Sequence, residues 1–412
     1  MKNSTARHPA NLLISTIMLF LFSAFLLLAL KDFEARGFLM VLLVPLIFFV
    51  ATVFIPRLFP ADQLLLCLIN FLCALGVLVL YRMNPKQGLD QAVNYGIGVF
   101  AMILCILFVR FIRHWKPMIM ILALASLLLM ALPLLFGVER NGARAWVTLL
   151  GLGFQPSELV KVALLIIEAY LLSQRKIVWA GSFAGLCLLL LMLQKDLGTA
   201  LIYYGVTLIM VFAATRSYLY LGLGAIGAAA GGVLGYNMYS HVKVRVRIWI
   251  DPWYDYSGAG YQIVQSLIAM VNGGVWGLGL GLGNAYEIPA FTTDFVFSII
   301  LNEFGLIFGV FVVLIYVLLF LRSIAVAMRS GSRVNTLLAL GASALIALQT
   351  FVIIGGNIKL IPLTGVTLPF ISYGGSSLIS SLCIMGLLQG VASINEDEVK
   401  VDQALARAED FA

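Results

Sequence analysis

Charge is what this sequence has least of. Charged residues fill 11% of its 412 positions, against about 25% in an ordinary soluble domain. Hydrophobic residues fill 62%, which leaves too little polar surface for a water-solvated globule. There are three histidines, and only His241 falls where an external catalytic site could use it, which argues against a Ser-His-Asp arrangement. The five cysteines, Cys67, Cys73, Cys105, Cys187 and Cys383, all lie within apolar runs. None has zinc spacing or sits in a long polar loop where a disulfide is expected, so they read as small core residues. No GxxxxGK[ST] occurs, which argues against a built-in ATP motor. No soluble domain is present either. The longest polar end piece is the tail after about residue 394, INEDEVKVDQALARAEDFA.

What is there is a succession of apolar runs of about twenty residues, the length needed to cross a bilayer core. Twelve are centred near residues 20, 47, 71, 100, 127, 166, 186, 207, 228, 308, 346 and 385. The expected fold is therefore an all-α polytopic membrane protein of about twelve transmembrane helices with one long extracytoplasmic loop. The first run follows Lys2, Arg7 and His8. It is of full spanning length and lacks a small-residue cleavage site, so it reads as an anchor. An even number of spans puts both termini on one side. A modest Lys/Arg bias places them in the cytoplasm. The net charge of +7 is spread over loops, which suits anionic membrane lipids and gives no sign of nucleic acid.

Two polar stretches interrupt this pattern. The segment 137–161, GVERNGARAWVTLLGLGFQPSELVK, carries Glu139, Arg140, Arg144, Glu158 and Lys161. Ionisable groups at the start of an apolar helix are costly and usually face a cavity, a partner charge or a substrate. Pro156 suits the first turn of a helix. Glu158 and Lys161, three apart, then share a face, with Glu168 two turns further along it as a further member of the same polar pocket. The second stretch, about 240–294, is fifty-odd residues without a spanning run, a length that usually reflects function. Its start, HVKVRVRIWIDPW, alternates cation and apolar residue. In an extended chain Lys243, Arg245 and Arg247 would share one face, either lying on lipid headgroups or forming a diphosphate site. The run GGVWGLGLGLGN at 273–284 lacks a following Lys-Ser/Thr and reads as a re-entrant turn.

The motifs NGARAW, QPSELVK, QKDLGTAL, DYSGAGYQIVQSLIAMVNGGVWGLGLG, TTDFVFSIILNEFG and LPFISYGGSS occur in this order. In them the chain resembles the SEDS family (shape, elongation, division and sporulation) of the RodA/FtsW/SpoVE type. The resemblance covers about residues 62–393, a ten-helix core. It leaves residues 1–61 as two extra N-terminal helices and 394–412 as a cytoplasmic tail. It implies an inverting glycosyltransferase of the bacterial cytoplasmic membrane that polymerises lipid II into peptidoglycan strands on the outer face. It also implies a class B penicillin-binding protein, a transpeptidase, as partner. The chain departs from the family in reading QKDLGT with Lys195 for proline, and PAFTTD at 289–294 for PEAHTD. Ala145 stands before Trp146 where a basic residue is common, and Arg144 is the expected substitute.

Joining two lipid-linked sugars needs a base for the acceptor hydroxyl and cations for the departing diphosphate. By resemblance Asp294 is the catalytic base. From sequence alone it reads first as the N-cap of the run that follows it, and a cap at a helix N-terminus favours its ionised form. The substrate-binding candidates are Arg144, Glu158, Lys161, Asp196, Lys243, Arg245, Arg247, Gln262, Gln265 and Ser376. Asp196 is a cap, an acceptor-sugar ligand or a partner of Lys195. Ser376 is kept as a ligand and Ser377 as a packing residue. Glu303 lies half a turn out of phase with Asp294 and is expected to face elsewhere. Asp251 and Asp255 make a poor metal site. The activated donor requires no nucleotide, and a divalent cation is the one candidate cofactor. A lipid II flippase and an inactive scaffold of the wall-synthesis machinery are the competing functions.

Overall fold

The computed structural model describes residues 7–112, 115–140, 142–149, 152–284 and 288–409. The chain begins with α1 (Arg7–Asp32) and α2 (Ala35–Phe49). A π-helical turn at Val50–Phe54 follows, and then the short α3 (Ile55–Leu58). Next come α4 (Gln63–Met83), α5 (Pro85–Phe111) and α6 (Trp115–Phe136). Local signals start two of these helices. The Asp62 carboxylate accepts the Leu65 amide at 3.1 Å, capping α4. Asn84 caps α5, and Pro85 opens it with the missing N–H that a first helical turn tolerates.

Strands β1 (Val138–Arg140), β2 (Ala143–Leu149) and β3 (Leu152–Phe154) then form a small antiparallel sheet in the order β1-β2-β3. The chain is otherwise helical, as expected, and this small sheet is the one β element among the described residues. Helices α7 (Pro156–Ser173), α8 (Ile177–Leu193), α9 (Leu197–Thr215) and α10 (Tyr218–Met238) follow, then the shorter α11 (Ser240–Ile250) and α12 (Tyr261–Gly273). The chain closes with α13 (Val296–Met328), α14 (Arg333–Asn357) and α15 (Gly375–Glu409).

Among the described residues, ten helices are long and apolar enough to cross a membrane. The protein is a multi-pass membrane protein. Two of the twelve expected runs fall on helices outside those ten. One is α7, which carries Glu158, Lys161 and Glu168; the other is α8, with 17 residues. Packing is uneven. The most apolar window of α4 is 94% buried and that of α10 is 6% buried, so α4 lies at the centre of the bundle and α10 at its rim.

The stretch Ser240–Ile250 is a helix, not an extended strand. At 100° per residue, Lys243 and Arg247 fall on one side of it and Arg245 on the other. Lys243 lies over the Tyr236 ring and Arg247 over the Tyr254 ring. Three bonds dock α11 on the connection between α14 and α15: Arg245 to the Thr364 carbonyl, Trp249 to the Lys359 carbonyl, and Lys359 to the Ile250 carbonyl.

The glycine-rich run supplies backbone groups to a break in α13. Gly305 is non-helical, with φ +83° and ψ 174°. The amides of Leu278 and Gly279 donate to the carbonyls of Asn302 and Glu303, and Leu306 and Ile307 donate back to Gly274 and Val275. An interrupted membrane helix needs this kind of replacement partner. A Cβ on Gly277 would stand 2.3 Å from the Glu303 carbonyl oxygen, so the approach requires glycine.

Candidate functional site

The polar groups converge on one cavity of about 510 Å³. It is framed by β2, the N-termini of α7 and α9, α11, the segment before α13, α14 and the turn into α15. Pro156 opens α7 and places Glu158 in its first turn. Lys161 meets Glu158 at 2.7 Å, and both side chains are buried. A buried pair needs further hydrogen bonds to offset desolvation, and it has them. Ser380 donates to Glu158 at 2.7 Å, and Lys161 donates to Gln349 Oε1 at 3.1 Å. Gln349 in turn donates to the Thr367 carbonyl at 2.8 Å, tying α7 to the α14–α15 connection.

Asp196 caps α9 by accepting the Thr199 amide at 3.1 Å, and it also accepts from Gln155 at 2.9 Å. Burial pushes its carboxyl above the usual range, against the Thr199 bonds and the charge of Lys161. The preceding Lys195 has φ +61°, which a proline ring cannot adopt. The turn between α8 and α9 is therefore built on a left-handed lysine, and Lys195 lines the cavity.

Asp294 faces the same cavity. It does not cap α13. The N-cap residue is Phe295, with no side-chain cap bond. Asp294 is held instead by its backbone. Its amide donates to Ala290 at 3.1 Å, and its carbonyl accepts Asn357 Nδ2 at 2.7 Å. Asn357 is fixed by Ser298 at 3.1 Å, and Ser298 pairs with Ser266 at 2.7 Å. This buried chain crosses α12, α13 and α14. Ser372 and Tyr373 hold the carbonyls of Thr293 and Thr292. Burial raises the Asp294 carboxyl above the ordinary range, opposed by a Thr293 hydrogen bond and by Arg245. The expected helix-terminal stabilisation of its ionised form is corrected accordingly. Burial lowers Arg245 in turn, while Asp294 and Asp196 support its charge. A Cβ on Gly365 would lie 3.5 Å from the Arg245 guanidinium and 3.7 Å from the Asp294 carboxylate. Glycine, at φ +75°, keeps the space between these groups open. His241 sits beside them. Partial burial, then Arg245 and Lys195, hold its imidazole below its usual value.

The cavity gathers Glu158, Lys161, Asp196, Arg245, Asp294 and Ser376. Five expected ligands are not among its lining residues. Arg144 is exposed and donates to the Gly137 carbonyl at 2.9 Å. Ala143, Ala145 and Trp146 line the cavity, and Arg144 between them does not. Lys243 and Arg247 are engaged with tyrosine rings. Gln265 reaches Tyr256 at 3.4 Å, and Gln262 also lies outside the lining. Glu168 bonds Thr207 at 2.6 Å and does not join the cavity. Asp251 and Asp255 accept backbone amides at 3.1 and 2.8 Å. No group of three His, Cys, Asp or Glu suited to a metal occurs among the described residues.

Sequence reasoning missed Gln349, which is 188 positions from its partner Lys161. A glutamine in an apolar run was the one signal. Ser377, expected to pack, also lines the cavity and bonds Thr367 at 2.6 Å.

Residues 62–397 match the family model described as cell cycle protein, FtsW/RodA/SpoVE. The chain belongs to the FtsW/RodA/SpoVE family. It is 32% identical over 365 residues to the peptidoglycan glycosyltransferase RodA of Mycobacterium tuberculosis, across 80% of this chain and 78% of that one. It is 35% identical over 317 residues to the stage V sporulation protein E of Bacillus subtilis, covering 73% and 86%. Among solved structures it is similar to RodA of Thermus thermophilus, with TM-score 0.60 and 30% identity over 82% of this chain and 98% of that one. It is also similar to a chain of a peptidoglycan synthase complex that coordinates polymerization and crosslinking. The TM-score there is 0.67 and the identity 32%, over 81% and 98% of the two chains. In this FtsW/RodA/SpoVE chain, α1, α2 and α3 precede the matched stretch.

Proposed function

We propose that this protein is a peptidoglycan glycosyltransferase and that the cavity holds the reacting ends of two lipid II-type molecules. The observation that carries the reading is the Asp294 carboxylate facing Arg245 across open space, with Lys161 in the same cavity. An acceptor sugar hydroxyl attacks the anomeric carbon of the donor. The bond from that carbon to the lipid diphosphate breaks, and the configuration inverts. Asp294 takes the hydroxyl proton, for which its raised basicity suits it. Arg245 and Lys161 stabilise the negative charge that grows on the diphosphate. The donor arrives activated, so no nucleotide is consumed. Glu158 pairs with Lys161, and a diphosphate competes for that cation.

The family match and the synthase complex among its relatives support the same reading. They also support a class B penicillin-binding protein as partner, which would cross-link the strands made here. The protein would cross the bacterial cytoplasmic membrane twelve times, α7 and α8 included. Both termini would then be cytoplasmic, and the segments 138–155 and 240–294 external. Residues 62–393 would form the catalytic core.

The test is incubation of the purified protein, alone and with its transpeptidase, with labelled lipid II. Glycan ladders that require Asp294 are expected. Transport of lipid II across vesicles without polymer would favour a flippase, and neither activity would favour a scaffold. Labelling with an impermeant thiol reagent tests the topology. Modification of a cysteine placed at 258 but not one at 405 is expected from outside.

A further inference from the structure

The two N-terminal helices lie outside the matched family stretch, yet they reach into the core at the glycine-rich loop. Lys31, in the last turn of α1, donates from Nζ to the Gly281 carbonyl at 2.8 Å. Gly281 has φ +84°, and its amide donates to Glu303 Oε2 at 3.2 Å. Glu303 pairs with Arg82 of α4 at 3.1 Å and is buried. A Cβ on Gly281 would stand 3.3 Å from Lys31 Nζ and 3.4 Å from Arg82 Nε. Two cations therefore grip one turn of loop, one from the family core and one from the added pair.

This turn needs such a grip. Gly277, Gly279 and Gly281 all have positive φ, and none has a side chain to bury. Backbone bonds must supply the order, and those bonds also fill the break at Gly305. The added pair is itself firmly seated. Phe20 packs against Phe71 and Phe308, with ring centroids 6.2 and 6.3 Å apart. The π-helical turn after α2 brings Thr52 to Asn70 at 3.0 Å, and Asn70 accepts Tyr95 at 2.8 Å.

We propose that α1 forms an intramolecular clamp on the 274–284 loop, with Lys31 in its last turn as the positioning residue through which it acts. The first turns of α13 lie between the gripped Glu303 and Asp294, so a loose loop leaves the base less well placed. Lys31 acts through the loop and does not touch substrate. The effect on turnover rests on the function proposed above; the effect on the loop does not.

The experiment compares the full-length protein with Lys31→Ala, Lys31→Arg and Thr52→Val. It measures hydrogen exchange at 274–284 and 296–304 and the kinetics of lipid II polymerisation. Loss of one charge-assisted hydrogen bond is expected to speed exchange at 274–284 about tenfold. The same substitution is expected to lower kcat with KM unchanged. Lys31→Arg restores both. Thr52→Val loosens the seat of α2 and leaves the loop protected. Unchanged loop exchange in Lys31→Ala, or equal loosening by Thr52→Val, overturns the clamp. Because exchange is read without substrate, an enzyme that proves not to polymerise lipid II still tests it.

Discussion

Asp294 and Glu303 lie nine residues apart on either side of the start of α13, and their surroundings are opposite. Glu303 is matched on every side: Arg82 pairs with it, Gly281 donates to it, and Lys31 lies beside the same turn. Asp294 has an acidic side chain facing a cavity, with Arg245 across a gap that Gly365 leaves open. Glu303 is buried and Asp294 is half-buried. The difference lies in whether the counter-charge is in contact. A carboxylate in contact with its partner holds structure. One kept apart from its cation retains a lone pair for a substrate and leaves room for the substrate between them.

That contrast is broken most sharply at Asp294. Asp294→Asn removes the base while the backbone bonds to Ala290 and Asn357 remain. Polymerisation should fall by about 10²–10⁴-fold, read from product ladders on a gel, with an unchanged melting temperature. Full activity in a folded Asp294→Asn protein would end the assignment of the base. Glu303→Gln should do the reverse and act first on stability. It removes the charge that pairs with the half-buried Arg82, a loss of up to about 3–5 kcal/mol for a broken buried pair, seen as a lower melting temperature in detergent. A neutral effect would make the grip on the loop dispensable.

Arg245→Gln sharpens the electrostatic side. Arg245 is a cation that opposes the upward push of burial on Asp294. Without it the carboxyl rises further. The active form is the deprotonated one, so activity falls as pH drops through this value. The acid limb of the kcat/KM profile should therefore lie above the ordinary aspartate value of about 3.9 in the parent and move to higher pH in Arg245→Gln. A shift to lower pH would show that Arg245 does not act on this carboxyl. The smallest effects are expected at Arg144→Ala and Arg247→Ala. Both cations are engaged outside the cavity, and turnover should stay within about twofold, as for ordinary surface substitutions. A large loss in either would return it to the site.

The amino-acid sequence by itself determined the class of molecule and much of the machinery. Run length and the scarcity of charge decided that the chain crosses a membrane, because few sequences can satisfy backbone groups there except as helices. Pro156 and the spacing of Glu158 and Lys161 decided that these two share a helical face, since that relation is local. The order of six motifs pointed to the family and to Asp294. Tertiary structure decided what local pattern could not. The alternation in HVKVRVR fits a strand or a helix, and docking of α11 on the α14–α15 connection selected the helix, sending Arg245 to the cavity and Lys243 and Arg247 away. Gln349 became the partner of Lys161 through packing of α14 on α7, a contact with no trace in either helix alone. Burial, not a helix cap, is the main push on the Asp294 carboxyl, and it is upward, because desolvation depends on every element that closes over a group and not on its neighbours in the chain.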